Sequence, residues 1–167
     1  MELVSILNKA QSSKVYRTLM NIGLWRLIPF NGPHKFKVID IKDHSLTISI
    51  PYIRKNKNHV NGIHACALAT VCEYISGLSL ARELSSKEYR IILKEIQMIY
   101  HYQAKMDSYT TFSLPENELY EIREELKNSD ATFRRFAVEV YDHAQHHICT
   151  GNIYWQIKPW SKTKTTI

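Results

Sequence analysis

A single acidic residue inside a long apolar segment is the feature of the sequence with the clearest chemical potential. Seventeen residues separate His64 from Arg82, and Glu73 is the only charged residue among them. The segment is rich in Ala and Leu and too long for an ordinary strand, which predicts a helix, and its apolar residues cover nearly every face, which predicts burial. Because a buried carboxylate is costly unless it is neutralised, hydrogen-bonded or functional, Glu73 is a candidate catalytic or ligand-binding residue. A structural, hydrogen-bonded core carboxylate is the alternative.

The start of this helix offers a second kind of chemistry. Gly62 permits a tight entry of the backbone into the helix, and the N–H groups of Ala65 and Cys66 are expected to lack acceptors in its first turn. With the positive end of the helix dipole behind them, such groups can hold a polarised carbonyl oxygen or an oxyanion. Four small or polar residues at positions i, i+3, i+6 and i+7 predict a narrow polar stripe on this helix, along which a ligand can approach: Thr70, Glu73, Ser76 and Gly77.

The spacing of these groups predicts more than one chain per site. Nine residues at about 1.5 Å rise per residue separate His64 from Glu73 by roughly 13–14 Å. One helix cannot easily direct both its N-terminus and Glu73 at the same carbonyl group, whereas two helices packed antiparallel across a two-fold axis can. If both groups act together, the protein is a dimer.

The residues around the helix start resemble a motif of hotdog-fold acyl-CoA thioesterases. The match to Asn…Gly-x-His-Gly-Gly-x-Leu…Asp/Glu, which is found in the phenylacetyl-CoA thioesterase-like group, is formed by Asn58, Gly62-Ile63-His64-Ala65-Cys66-Ala67-Leu68 and Glu73. The resemblance in element order extends over about residues 35–158. The chain departs from the motif at two places. Ala65-Cys66 replaces Gly-Gly, and these side chains are expected to narrow the approach of the thioester to the helix start. Glu73 stands where Asp is more usual.

The resemblance implies specific roles and partners. Glu73 would act as general base or nucleophile on a thioester, and the backbone N–H of Ala65 would bind the thioester oxygen. Asn58 would position water or substrate, with His64 helping to orient it. The implied substrate is an acyl-CoA or a related carrier thioester, the implied assembly is a homodimer or homotetramer with shared sites, and no metal or redox cofactor is required.

Charge and composition exclude several other classes. The net charge of +6 comes with no zinc-ligand spacing and no interleaving of aromatic and basic residues, so we do not predict nucleic-acid binding. One basic group, Arg54, Lys55 and Lys57, precedes the apolar helix; it is either a solvated loop or a set of ligands for coenzyme A phosphates.

The cluster formed by His143, His146 and His147 lacks a recognised spacing of metal ligands. We expect no membrane span, no secretory signal and reduced thiols in the cytoplasm.

The remaining periodicities predict an α+β fold. A buried helix among strands favours an antiparallel sheet wrapped around it. The hotdog resemblance divides the chain into an N-terminal helical extension (1–34), a hotdog domain (35–158) and a flexible tail (159–167). We expect the N-terminal helix and an inserted helix at 116–127 to cover the acyl pocket. The predicted elements are a helical region over 3–28, strands over 36–41, 46–50, 89–104, 108–114, 133–141 and 147–157, and the inserted helix beginning at Pro115.

Two functions other than hydrolysis fit the same fold. A noncatalytic acyl-ligand-binding or structural hotdog protein would tolerate the loss of Gly-Gly. A hotdog dehydratase is less favoured, because its His and acid normally lie at other spacings around a Pro-containing segment. Thioester hydrolysis therefore leads, with the noncatalytic hotdog protein as the alternative.

Overall fold

A six-stranded antiparallel sheet wraps around one long helix in the computed structural model, which describes residues 3–163. The predicted α+β class is thereby confirmed. The strand order is β1-β2-β4-β5-β6-β3, so β1 and β3 form the two edges. In chain order the elements are α1 (Leu3–Ser12), α2 (Lys14–Leu27), β1 (Lys37–Lys42), β2 (Ser45–Ile50), α3 (Ala65–Glu83), β3 (Tyr89–Tyr100), β4 (Ser108–Ser113), α4 (Glu116–Asn128), β5 (Thr132–Asp142) and β6 (His147–Pro159).

The central helix α3 supplies the middle of the core. It packs against β2, β3, β4, β5 and β6. Burial on most of its faces follows from its sequence, since polar side chains are scarce along it. The strands face it with one side: buried and less buried residues alternate along β2, as period-two side-chain geometry requires. The helix is therefore fixed along its length, and a side chain on it has a defined direction.

The N-terminal region forms two helices, where the sequence suggested one stretch of mixed periodicity. Ser13 has an extended backbone and its side chain accepts the N–H of Tyr16 at 3.5 Å, which makes it the N-cap of α2. Leu7, Met20 and Leu24 are buried in the same core as the sheet and α3. The extension therefore contributes to the core of the hotdog domain, and the boundary at residue 34 stays a prediction.

The end of the chain is anchored further than the predicted tail boundary at residue 159 suggests. Pro159 is the last residue of β6, and Trp160–Lys162 form a 3-10 turn. The indole N–H of Trp160 donates to the carbonyl of Ser86 at 2.9 Å. Residues 164–167 of the predicted tail lie outside the described residues. No described helix is both long and apolar enough to cross a bilayer.

Candidate functional site

Glu73 lines a large apolar cavity beside the central helix. The cavity has a volume of about 900 Å³ and is bounded by α2 and the turn after it, by one face of α3, and by β3 and β6. Glu73 and Arg90 are the two charged residues among the described lining residues. Aromatic side chains form much of the remaining wall: Phe30, Tyr74, Tyr89, Trp155 and Trp160. A space of this size and polarity suits an acyl chain or an aromatic acyl group.

The carboxylate of Glu73 has no hydrogen-bond or ion-pair partner within residues 3–163. The nearby Ser76 hydroxyl donates to the backbone carbonyls of Cys72, at 2.9 Å, or Glu73, at 3.0 Å, and it accepts the indole N–H of Trp155 at 3.1 Å. Burial raises the pKa of Glu73, because the charged form loses hydration there. A half-buried carboxylate of this kind holds a proton more readily than an exposed one and is suited to proton transfer near neutrality.

Gly77 lets the sheet approach the helix beside Glu73. A Cβ at this position would lie 3.0 Å from Cη2 of Trp155 and 3.7 Å from Oε1 of Glu73. The indole ring therefore occupies the space that a side chain at position 77 would need. Trp155 and the Glu73 carboxylate consequently border the same part of the cavity.

Two further predicted residues lie in this cavity. Thr70 and Cys66 both line it, and the Thr70 hydroxyl donates to the Cys66 carbonyl at 2.8 Å. Ser76, by contrast, is fully buried and turned toward β6. The polar stripe predicted on α3 is thus represented at the cavity by Thr70, Glu73 and the bare backbone of Gly77.

The first turn of α3 is capped by its own preceding residue. His64 is the N-cap, and its Nδ1 accepts the N–H of Cys66 at 3.0 Å. The expectation that the Cys66 N–H lacks an acceptor is therefore wrong, because a side chain one position before the helix reaches it. The N–H of Ala65 has no acceptor in the described part of the chain, and Ala65 is exposed. The helix start thus keeps one free N–H at the surface.

Ala65 and Asn58 line a second, smaller cavity of about 380 Å³. The side-chain oxygen of Asn58 accepts the N–H groups of Val60 at 3.1 Å and Gly62 at 2.9 Å, so it organises the loop before α3. Its NH₂ group has no acceptor among the described residues and remains available to a ligand. Gly62 is buried without a positive φ, and a Cβ there would meet the Gln103 side chain at 3.0 Å.

The three basic residues lie on the loop before α3 and line neither cavity. Arg54 and Lys55 are exposed on a 3-10 turn that ends at Asn56. The ammonium group of Lys57 lies 3.6 Å from the centre of the Tyr52 ring, a cation–π contact. Their assignment to coenzyme A phosphates stays a prediction.

The structure therefore separates the predicted catalytic residues into two places within one chain. Glu73 lines the large cavity, and Ala65 and Asn58 line the small one. This separation agrees with the distance that the helical rise puts between the start of α3 and Glu73. Sequence reasoning did not identify the walls contributed by β3, Trp155 and Trp160, since those contacts are long-range. Of the two helices expected to cover the pocket, α2 lines it, whereas α4 does not.

The histidine cluster at the β5–β6 hairpin forms hydrogen bonds and ring contacts. His146 Nδ1 lies 2.9 Å from the buried carboxylate of Asp142, and the ring of His147 lies 4.3 Å from that of His101. Within residues 3–163, no three His, Cys, Asp or Glu side chains are arranged to hold a metal ion.

A sequence profile described as a domain of unknown function, DUF4442, matches residues 17–157. The chain belongs to this family. No curated protein sequence matches it. Three solved structures show the fold. A Pseudomonas aeruginosa protein of unknown function, PA5026, described as a "probable thioesterase", is 17% identical, with a TM-score of 0.78 over 85% of this chain and 95% of its own.

The thioesterase SAV0944 of Staphylococcus aureus, solved as a mutant, is 14% identical, with a TM-score of 0.63 over 78% of this chain and 99% of its own. The thioesterase HI1161 of Haemophilus influenzae is 7% identical, with a TM-score of 0.61 over 78% of this chain and 82% of its own. At these identities the similarity shows the fold alone. The resemblance to hotdog-fold thioesterases is thereby confirmed at the level of architecture.

Proposed function

We propose that this DUF4442 protein hydrolyses a thioester of the acyl-CoA class, with Glu73 as general base or nucleophile. The observation that carries the proposal is a carboxylate without a partner among residues 3–163, with a pKa raised by burial, at the wall of an apolar cavity of about 900 Å³. The fold shared with proteins described as thioesterases supports the same reaction class. An acyl chain would occupy the cavity, and its carbonyl carbon would lie near Glu73.

In the general-base form of the reaction, Glu73 accepts a proton from water as the water oxygen bonds to the carbonyl carbon. The carbonyl oxygen becomes an oxyanion, which a backbone N–H stabilises. When the oxyanion collapses, the C–S bond breaks, and the leaving thiolate takes a proton from the carboxylic acid of Glu73 or from solvent. In the nucleophilic form, the carboxylate attacks the carbonyl carbon and the C–S bond breaks, which gives a mixed anhydride and a thiolate that takes a proton from solvent. Water then hydrolyses the anhydride, releases the free acid and regenerates the carboxylate of Glu73.

We further propose that the oxyanion donor, the Ala65 N–H, comes from a second copy of the chain. The edge strand β3 supports this assembly, because it is twelve residues long, carries partly exposed Leu93, Ile96 and Ile99, and has no pairing strand on its outer side within residues 3–163. Long apolar edges of this kind favour pairing with another strand. A two-fold axis at β3 would join the two sheets and bring Asn58 and Ala65 of one copy toward Glu73 of the other.

The loop residues complete the proposal for the substrate. Arg54, Lys55 and Lys57 would attract the phosphates of coenzyme A at the entrance to the shared site, since they are surface cations next to the helix start. We place the protein in the cytoplasm, because coenzyme A thioesters and reduced thiols occur together there.

A noncatalytic acyl-binding protein is the second candidate, and one observation favours it. The Nδ1 atom of His64 already accepts the N–H of Cys66. The side chains of Ala65 and Cys66 also lie where the thioesterase motif has two glycines. An oxyanion would therefore find a single N–H at each helix start. A non-hydrolysable thioether analogue of acyl-CoA would then raise the melting temperature, while the matching thioester is not turned over.

The decisive experiment measures thiol release from short, medium, long and aromatic acyl-CoAs. We expect Glu73→Gln to lower kcat by about 10²–10⁴, the usual contribution of a general base. Glu83→Gln is the matched control, because it places the same substitution on the same helix at a glutamate that pairs with Arg82 outside the cavity. Circular dichroism and melting curves show that each variant is folded.

The outcomes separate the two candidates. Turnover that Glu73→Gln abolishes and Glu83→Gln preserves supports the hydrolase. Thioether binding without turnover of any thioester in the panel supports the acyl-binding protein. Turnover that is indifferent to Glu73→Gln removes Glu73 from the reaction.

A further inference from the structure

Helix α2 presents an apolar face to solvent. Five large apolar side chains on it are exposed, with Val15 at 69% and Leu19 at 58% of full exposure, and the others are Tyr16, Ile22 and Leu27. At 100° per residue these five positions fall within an arc of roughly 140°. Gly23 and Arg26 fall inside the same arc, so this surface, which we call the α2 outer face, is mainly apolar and contains one cation. Exposed apolar surfaces of this extent usually mark an interaction site.

The opposite face of α2 holds the helix firmly on the protein. Met20 and Leu24 are buried there, and the amide of Asn21 exchanges two hydrogen bonds with the backbone of Val38 on β1. These bonds measure 3.0 Å, from the Asn21 NH₂ group to the carbonyl, and 2.8 Å, from the Val38 N–H to the Asn21 oxygen. The helix is thus anchored, and its outer face is a fixed feature of the fold.

The charge of the chain is concentrated around the same helix. Residues 3–37 contain six Lys or Arg residues and no Asp or Glu, and this charge equals the +6 of the whole protein. Lys14 and Arg26 on α2, and Lys35 and Lys37 after it, are exposed. A fixed apolar helix face flanked by cations is typical of proteins that bind at the surface of an anionic bilayer.

We propose that the α2 outer face docks on an anionic lipid bilayer. A second copy of the chain is a poor occupant, because a two-fold contact through this face would place two segments of charge +6 against each other. A nucleic acid would use the cations and leave the aliphatic side chains in water. Only an anionic surface with an apolar interior uses both the side chains of Leu19 and Ile22 and the charges beside them.

The position of the cavity agrees with this orientation. Leu27 and Phe30 are exposed, at 75% and 68%, and both also line the cavity that contains Glu73. Docking through α2 would therefore place the part of the cavity wall formed by Leu27 and Phe30 near the bilayer, where long acyl chains are held. The docking proposal does not depend on thioester hydrolysis, and the two can fail separately.

The test is co-sedimentation of the full chain with vesicles of phosphatidylcholine alone and of phosphatidylcholine mixed with phosphatidylserine. We expect binding to the mixed vesicles only, weakened by salt because the attraction is screened. Leu19→Glu should lower the ratio of bound to free protein by roughly tenfold, since it places a charge in the contact. Arg26→Glu should also lower it. The control is Tyr120→Glu, which changes an exposed aromatic residue on α4 and should leave binding unchanged.

Three results would overturn the proposal. The first is no sedimentation with mixed vesicles, and the second is sedimentation that Leu19→Glu and Tyr120→Glu affect equally. The third is a drop in oligomer mass caused by Leu19→Glu in light scattering, without vesicle binding by the wild type. That result would assign the α2 outer face to contact between copies. Because Leu19 is exposed, melting curves of the variants should match those of the wild type.

Discussion

Glu73 lies where its charge costs stability and where nothing in residues 3–163 compensates that cost. A core carboxylate that serves the fold is normally hydrogen-bonded, as Asp142 is, whose side chain accepts the N–H groups of Ala144 and His146, each at 2.9 Å. Asp142 is therefore hydrogen-bonded as a structural carboxylate normally is, whereas the carboxylate of Glu73 has no partner among residues 3–163 and is free to react. The pKa of Asp142 is lowered, with the hydrogen bonds from His146 and Ala144 outweighing burial, and burial raises that of Glu73.

The dependence of stability on pH tests this reading of Glu73. The pKa of Glu73 is higher in the folded state than in the unfolded state. Its effect on the free energy of unfolding is therefore smallest below the unfolded pKa, and the wild type loses stability as pH rises through the folded pKa. Glu73→Gln carries no charge at any pH. Its melting temperature relative to the wild type should therefore increase from about pH 4 to about pH 8. A difference that is flat over this range would show that the pKa of Glu73 is not raised.

His64 illustrates how a residue of a catalytic motif can have a structural role. Its Nδ1 caps α3, and its carbonyl accepts the N–H of Ala67 at 2.9 Å. His64→Ala should lower the free energy of unfolding by about 0.5–2 kcal/mol through loss of the cap. His64→Asn, which keeps a side-chain acceptor, should restore most of that stability in chemical denaturation.

Activity measured on the same two variants separates capping from catalysis. If His64 only positions the helix start, thioester turnover follows stability, and His64→Asn is close to wild type. If kcat falls equally in both variants, the imidazole itself takes part in the reaction.

At the scale of elements, the sequence predicted the order and type of nearly every helix and strand. The uninterrupted apolar run made α3 recognisable, and Pro115 followed by Glu116 and Glu118 marked the start of α4. The predicted region 3–28 was helical, but the break at Ser13 was missed, because a cap in the middle of a periodic segment has little effect on the pattern.

The cavity could not be predicted in the same way. Its position depends on which strand faces Glu73, and Trp155 reaches it from a strand far along the chain. Gly77 was placed on the polar stripe, yet its consequence, the close approach of an indole ring, follows only from the three-dimensional packing. The acid itself was accessible to sequence reasoning because one charge in an apolar helix is a local signal.

Packing between α3 and the sheet leads to a prediction at this scale. A Cβ on Gly151 of β6 would lie 2.9 Å from Cβ of Cys72 and 3.0 Å from Sδ of Met98. Overpacking costs about 1–3 kcal/mol, which exceeds the gain of about 0.5–1 kcal/mol from replacing Gly in a strand. Gly151→Ala should therefore destabilise the protein by about 1–2 kcal/mol in urea denaturation.

Gly23→Ala is the matched control for that measurement. Gly23 lies within α2, and apart from its chain neighbours and the adjoining backbone of its own helix, no described atom lies within 4 Å of the position a Cβ would take. The substitution should raise stability by about 1 kcal/mol, the difference in helix propensity between the two residues. Equal effects of the two substitutions would contradict the close contact between α3 and β6.

For the whole molecule, the main question is whether the two cavities meet across a two-fold axis. Within one chain Ala65 and Glu73 face different spaces, and the β3 edge is free to pair. Ala65→Pro removes the proposed oxyanion donor selectively. Proline is tolerated at the first position of a helix, and the φ of −64° and ψ of 138° at His64 suit a residue that precedes proline. Alone, this variant should lose about 10²–10³ in kcat.

Co-expression of Ala65→Pro with Glu73→Gln then tests the shared site. If each site takes its carboxylate from one chain and its N–H from the other, a mixed dimer has one complete site and one doubly defective site. With equal expression about half of the dimers are mixed, so about one quarter of wild-type activity should return. Co-expression of Glu73→Gln with Glu83→Gln is the control. Half of the chains then keep Glu73 and all keep the Ala65 N–H, so about half of wild-type activity is expected whether or not the chains share a site. If the co-expressed pair stays as inactive as its parents while differently tagged chains co-purify, the site is not shared between chains. The oxyanion donor must then be sought within the same chain, among the residues that line the Glu73 cavity.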